Sequence, residues 1–150
     1  MRDKTLHTKE SIIKETYQHK VDIAKIIMNI NGVLVARGKE HDNDKLIPKN
    51  AELLADSLNN GNFSEWNKVH MEAQRHHNEW IVSNVYKGDT NVLDLLEMII
   101  DSIASNKRRG GKKPTFSDEY LYFINKGYEK QLATILANSI LRFYEKYEIQ

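Results

Sequence analysis

The chain has 150 residues, of which 29% are charged and 40% hydrophobic, and a net charge of +1. That length predicts one domain with one core, and the near-neutral balance excludes a global pull toward nucleic acid or an anionic membrane. There is no cysteine, which excludes disulfides and thiolate metal sites, so any metal must be held by His and carboxylate, a donor set that suits Mn, Fe, Zn or Mg.

No apolar run approaches the ~20 residues of a membrane span. The opening MRDKTLHTKESIIKE is too polar for a secretory signal, and a cytoplasmic location is expected. Two prolines and seven glycines, with no sustained strand alternation, favour helix throughout. A first helix is expected over about Lys9 to Gly38, where Ile12, Ile13, Ile23, Ile26, Ile27, Ile30, Leu34 and Val35 recur at helical spacings. HDNDKLIPKN reads as a turn, punctuated by Pro48 and two asparagines. A short helix follows over roughly Ala51 to Leu58. Ser64 can cap a helix running through Trp66, Val69 and Ala73 toward His76. Trp80 to Tyr86 is also expected to be helical. Asn91 can cap VLDLLEMIIDSIAS, which is apolar on more than one face and so should be central. NKRRGGKKP, Asn106 to Pro114, breaks the pattern as a basic, glycine-containing loop. Ser117 can cap a helix through Tyr120, Leu121 and Phe123, and a last helix spans about Tyr128 to Tyr147. The sum is an all-α, single-domain bundle of about five to seven helices.

Six histidines are present. His7 lies in a polar terminal segment and reads as a surface residue. His19 sits on the first helix among apolar neighbours, as a half-buried core residue or an inward-facing ligand. His41 and Asp42 are adjacent, roughly 100° apart on a helix, so both reach one ion only at a helix end or turn; a solvated turn is the plain alternative. His70 and His77 are close to two helical turns apart and can share a face, whereas the His76-His77 adjacency again points to a break. Asp101 is the most telling residue, because a carboxylate inside LLEMIIDSIA is costly unless paired, capped or bound to a cation. Glu97, one turn earlier on the same face, adds a like charge that a cation or a protonated His would offset. Helical bundles commonly build metal sites from inward-facing side chains of these types.

The order His19, His41-Asp42, His70, His76-His77, Asp101 resembles the HD-domain superfamily of metal-dependent phosphohydrolases. HDNDKL resembles the HD-x-G-K version found in HD-GYP phosphodiesterases, and RHHNEW resembles their His-His motif. No GYP motif is present, so cyclic-dinucleotide specificity is not carried over. The rhythm R…HD…K…HH…EM…D also resembles small HD-like proteins of bacteria and phages. The resemblance covers about Gln18 to Ser105, and the helices from Ser117 to Glu148 are unmatched.

The resemblance implies an HD-type bundle. In it His19, His41, Asp42 and Asp101 hold a first divalent ion (Mn, Fe, Co, Mg or Zn). His70, His76 and His77 complete a second, with Asp42 as the bridge. Two such ions ~3.5–4 Å apart hold a hydroxide that attacks phosphorus in line. Asp42 and Lys45 are then the catalytic candidates. Lys45, a compact point charge, is also the candidate phosphate contact, and Arg37 is a further one. Asp44 either orients a ligand His or caps a turn. The basic loop offers Lys107, Arg108, Arg109, Lys112 and Lys113 to a substrate's phosphates. Trp66 and Trp80 flank the His70–His77 segment and either wall the pocket or anchor the core. The late aromatics, Tyr120 to Tyr147, read as core or homodimer packing. The expected partner is a small phosphorylated substrate such as a nucleotide, with nucleic acid less favoured and no membrane. Two other readings stand beside the hydrolase: an HD-fold di-iron oxygenase resembling inositol oxygenase, and a metal-stabilised binding module without catalysis.

Overall fold

The computed structural model describes residues 8–84 and 88–146. The chain is all-α, with no strand among the described residues, and no described helix is long and apolar enough to cross a membrane. It divides into two compact units, residues 1–41 and 42–150.

The described part of the first unit is a single helix, α1, Lys9–Glu40. Its start is set by a capping box: the Thr8 side chain accepts from Ser11 N, and Ser11 Oγ accepts from Thr8 N, each at 3.1 Å. Asn29, Asn31 and Gly32 do not interrupt it. The helix stops where His41 turns to ψ 130. One helix cannot bury a face of its own, and Ile12, Ile13, Ile23, Ile26, Ile27 and Ile30 are exposed on it.

The second unit begins with a 3₁₀ turn, Asn43–Leu46. Pro48 then opens α2, Pro48–Asn60, at the one end of a helix where a missing N–H costs nothing. Gly61 ends α2 with φ 74, a left-handed conformation that glycine adopts without steric cost. A short helix α3, Ser64–Trp66, runs straight into a π-helical turn, Asn67–Met71. The chain then bends before α4, Asn78–Asn84, and α5, Val92–Arg108. Helices α6, Phe116–Asn125, and α7, Lys130–Lys146, complete the unit.

Several boundaries differ from expectation, for local reasons. Ser64 is the first helical residue rather than the cap, since Phe63 holds that position without a side-chain cap. Thr115, not Ser117, caps α6, because Asp118 returns a bond to the Thr115 backbone and closes a capping box. α5 continues to Arg108, so the basic loop is shorter than its composition implies. Tyr86 and Tyr147, the far ends of two expected helices, fall outside the described residues.

The core joins Ile81 of α4, Met98, Ile99 and Ile103 of α5, Phe123 of α6, Tyr128, and Ala133, Leu136 and Ile140 of α7. The α7 contribution follows the i, i+3, i+7 rhythm of a helix with one buried face. α5 uses this face for the core, and Glu97, Asp101, Ser105 and Arg108 recur along a different stripe of the same helix. That second stripe is polar, whereas the sequence of α5 reads as apolar on more than one face.

Candidate metal centre

Asp42 has φ 59 and ψ 16, left-handed backbone that a non-glycine residue adopts only where its surroundings compel it. The 3₁₀ turn that follows is closed by Lys45 N to Asp42 O at 2.9 Å and Ile47 N to Asp44 O at 3.2 Å. Asn50 Nδ2 donates to Asp44 O at 3.0 Å and pins the turn to the first turn of α2. Asp44 thereby meets His70, its Oδ2 lying 2.7 Å from His70 Nδ1.

His70 is buried, at 1% exposure, in the π-helical turn, a backbone irregularity that commonly accompanies functional sites. Trp66 stacks on its ring with centroids 4.6 Å apart. Trp66 therefore walls the histidine cluster, outside the main core. His70 Nε2 lies 3.3 Å from Asp42 Oδ1.

His70 and His77 meet, but not as two positions on one helix face. The backbone folds back between them, with Gln74 N bonding His70 O at 2.9 Å and His77 N bonding Gln74 O at 3.1 Å. The bend is anchored by Arg75. Its Nε and Nη2 fork onto the two oxygens of fully buried Asp94 at 3.1 and 2.9 Å, and its guanidinium lies 4.2 Å over the Trp80 ring. Asp94 also closes the capping box of α5 through Asn91, so the fork ties the bend to the start of α5. His76, buried at 4% exposure, points Nδ1 at Glu97 Oε1 of α5 (3.3 Å) and Nε2 at Asp42 Oδ1 (3.7 Å). His77 Nε2 faces His70 Nε2 at 2.8 Å.

Asp42, His70, His76 and His77 thus offer ligand atoms that all lie within 4.8 Å of one another. Asp101 joins the same neighbourhood, with a carboxylate oxygen within 4.8 Å of a His76 nitrogen, and accepts from Ser105 Oγ at 3.2 Å. The electrostatics favour a neutral His77 imidazole. Burial first, then the neighbouring His76 and His70, lowers the His77 pKa to about 4, against a smaller upward pull from Asp101 and Asp42. A carboxylate can only accept, so in the neutral ring Nδ1 of His70 carries the proton and Nε2 holds the lone pair. His77 Nε2–H is then the donor of the 2.8 Å contact.

The other expected residues are placed as follows. Lys45 Nζ bonds Asp42 Oδ2 at 2.7 Å, so its cation is engaged with a site carboxylate. His41 is the residue bonded to Asp42 and belongs to the first unit, as do Arg37 and His19; His19 is exposed on α1. Arg108 and Arg109 are exposed at the end of α5, while Lys113 pairs with Glu145 at 3.2 Å. The loop itself is ordered by Asn106, whose Nδ2 donates to Lys112 O and to Tyr144 Oη. A Cβ at Gly111 would collide with that same side chain. Glu97, read in the sequence only as a repelling neighbour of Asp101, is a contact of His76. Its single legible signal is the shared helix face.

A family model matches residues 8–142 and so spans the whole cluster. The chain belongs to the DUF5662 family. That family is described as one of unknown function. No curated protein and no solved structure matches the chain.

Proposed function

We propose that the chain is a metal-dependent phosphohydrolase of the HD type, acting on a nucleotide or another small phosphate ester. The observation that carries this reading is the convergence of Asp42, His70, His76 and His77. Donors about 2.0–2.1 Å from a tetrahedral ion stand roughly 3.4 Å from one another. The contacts of 3.3 Å from His70 to Asp42, 3.7 Å from His76 to Asp42 and 2.8 Å from His70 to His77 bracket that value. The donors are all nitrogen and oxygen, which suits Mn, Fe, Co or Zn.

A second ion would also be held by Asp42, the carboxylate between two imidazoles. Asp101 would supply a further ligand of that ion. Divalent ions held here polarise a phosphoryl oxygen and acidify a water. Lys45, paired with Asp42 at 2.7 Å, would offer its ammonium to the substrate phosphate. Arg108 and Arg109 begin seven residues beyond Asp101, about 10 Å along the helix axis, where they meet a second phosphate of a nucleotide.

The test is a panel of phosphomonoesters, phosphodiesters and nucleotides assayed with Mn, Fe, Co, Mg and Zn. The expected result is metal-dependent phosphate release that Asp42→Asn abolishes. Metal binding without turnover of any ester would contradict the hydrolase and leave a metal-stabilised binding module. Oxygen uptake by the iron-loaded protein would point instead to oxygenase chemistry.

A further inference from the structure

We infer that Asp44 and Glu97 are a pair of positioning carboxylates that lock His70 and His76 in the Nδ1–H tautomer, so that two Nε2 lone pairs converge on Asp42 before any cation arrives. This deepens the metal-centre reading and rests on it for its functional consequence, although the tautomers themselves are a property of the metal-free protein.

His70 and His76 are placed alike. Each imidazole is buried and each has a carboxylate at Nδ1: Asp44 Oδ2 at 2.7 Å from His70, Glu97 Oε1 at 3.3 Å from His76. Each then presents Nε2 to the same atom, Asp42 Oδ1, at 3.3 and 3.7 Å. The two carboxylates come from unrelated places, a 3₁₀ turn and the side of α5. Both are held by their own elements, Asp44 through Asn50 and Glu97 by the helix. A carboxylate cannot donate, so a neutral ring beside it must carry its proton on the facing nitrogen. That fixes which nitrogen remains for a metal and holds the ring plane. Such outer carboxylates typically contribute 10–100-fold to metal affinity. Among the described residues, no carboxylate pairs with His77 Nδ1; its Nε2 is the donor to His70, a role it would give up where both Nε2 atoms face a cation.

The test uses full-length protein carrying ¹⁵N-labelled histidine. In metal-free wild type, long-range ¹H–¹⁵N spectra are expected to show pyrrole-type Nδ1 and pyridine-type Nε2 for His70 and His76. Asp44→Asn and Glu97→Gln keep the shape but offer an amide that can donate as well as accept. Each is expected to mix the tautomers of its own histidine only, and to lower Mn or Zn affinity 10–100-fold with unchanged stoichiometry. Asp44→Leu, which removes the acceptor outright, is the second variant for His70. Protons on Nε2 in the wild type, or unchanged tautomers and metal affinity in the folded variants, would overturn the inference. A wild type that binds no metal at all would defeat the metal-centre reading instead, while the spectra would still decide the tautomers.

Discussion

The Nε2 atoms of His70 and His77 face each other at 2.8 Å. Two imidazolium rings could not share that contact, so at least one ring of the pair must be neutral. The His77 pKa, lowered to about 4 from 6.5, expresses the same constraint. Between those values the unfolded chain binds more protons than the folded one, so stability rises with pH across this window. The contribution is fully present above about pH 6.5 and is lost as pH falls toward 4. Urea midpoints of the metal-free protein should therefore drop between pH 7 and pH 4.5, and His77→Asn should flatten that drop. An identical pH dependence in the variant would contradict the assignment.

The fork of Arg75 on Asp94 couples fold and site. Asp94 is fully buried, and stranding a buried carboxylate costs up to about 3–5 kcal/mol. Arg75 is itself 40% exposed, so the lower end applies, and Arg75→Leu should lose about 3 kcal/mol in urea unfolding. The same variant should weaken metal binding, because the bend carrying His76 and His77 loses its anchor. Stability lost with metal affinity intact would show that the bend holds without the fork.

Much of this candidate site is legible in the sequence, for specific reasons. Asp101 inside an apolar run and the two adjacent pairs, His41-Asp42 and His76-His77, are signals of composition against context, and both pairs fall where a helix ends or begins. The all-α class followed from helical periodicity and the scarcity of breakers. The relation of His70 to His77 was not legible, because periodicity assumes an unbroken helix and the π-helical turn and bend replace one. Asp44 reads in sequence as orienting a ligand His or capping a turn and Lys45 as a phosphate contact, but which residues they meet is not legible. That Lys45 would reach back to Asp42 and Asp44 across to His70 depends on the left-handed turn at Asp42, which no residue type announces. Glu97 was visible only as a repulsion, since its histidine partner lies on another element.

Lys45 provides a separation of roles. Its ammonium pairs with Asp42 at 2.7 Å while standing 32% exposed, and exposed pairs of this kind contribute only about 0–1 kcal/mol. Lys45→Met should therefore leave stability and metal content near wild type. Loss of a charged contact to phosphate should cost about 1.5–3 kcal/mol, a fall of tenfold or more in kcat/KM for a phosphate ester. Unchanged kinetics would remove the proposed phosphate contact.

The core offers the complementary control. Leu136 is 2% exposed within the α5–α6–α7 cluster, and Leu136→Ala should cost about 2–5 kcal/mol by transfer and cavity terms. Metal stoichiometry of the folded variant should match wild type. A loss of metal in folded Leu136→Ala protein would show that the site depends on packing remote from its ligands.

The central claim is that Asp42, His70, His76 and His77 together hold a divalent ion. Its most direct test is elemental analysis with titration calorimetry, using Mn and Zn, on wild type, Asp42→Ala and His76→Ala, with circular dichroism as the fold control. Stoichiometric metal is expected in the wild type, with its loss in both variants and helical content retained. A metal-free wild type, or full occupancy in both variants, would contradict it.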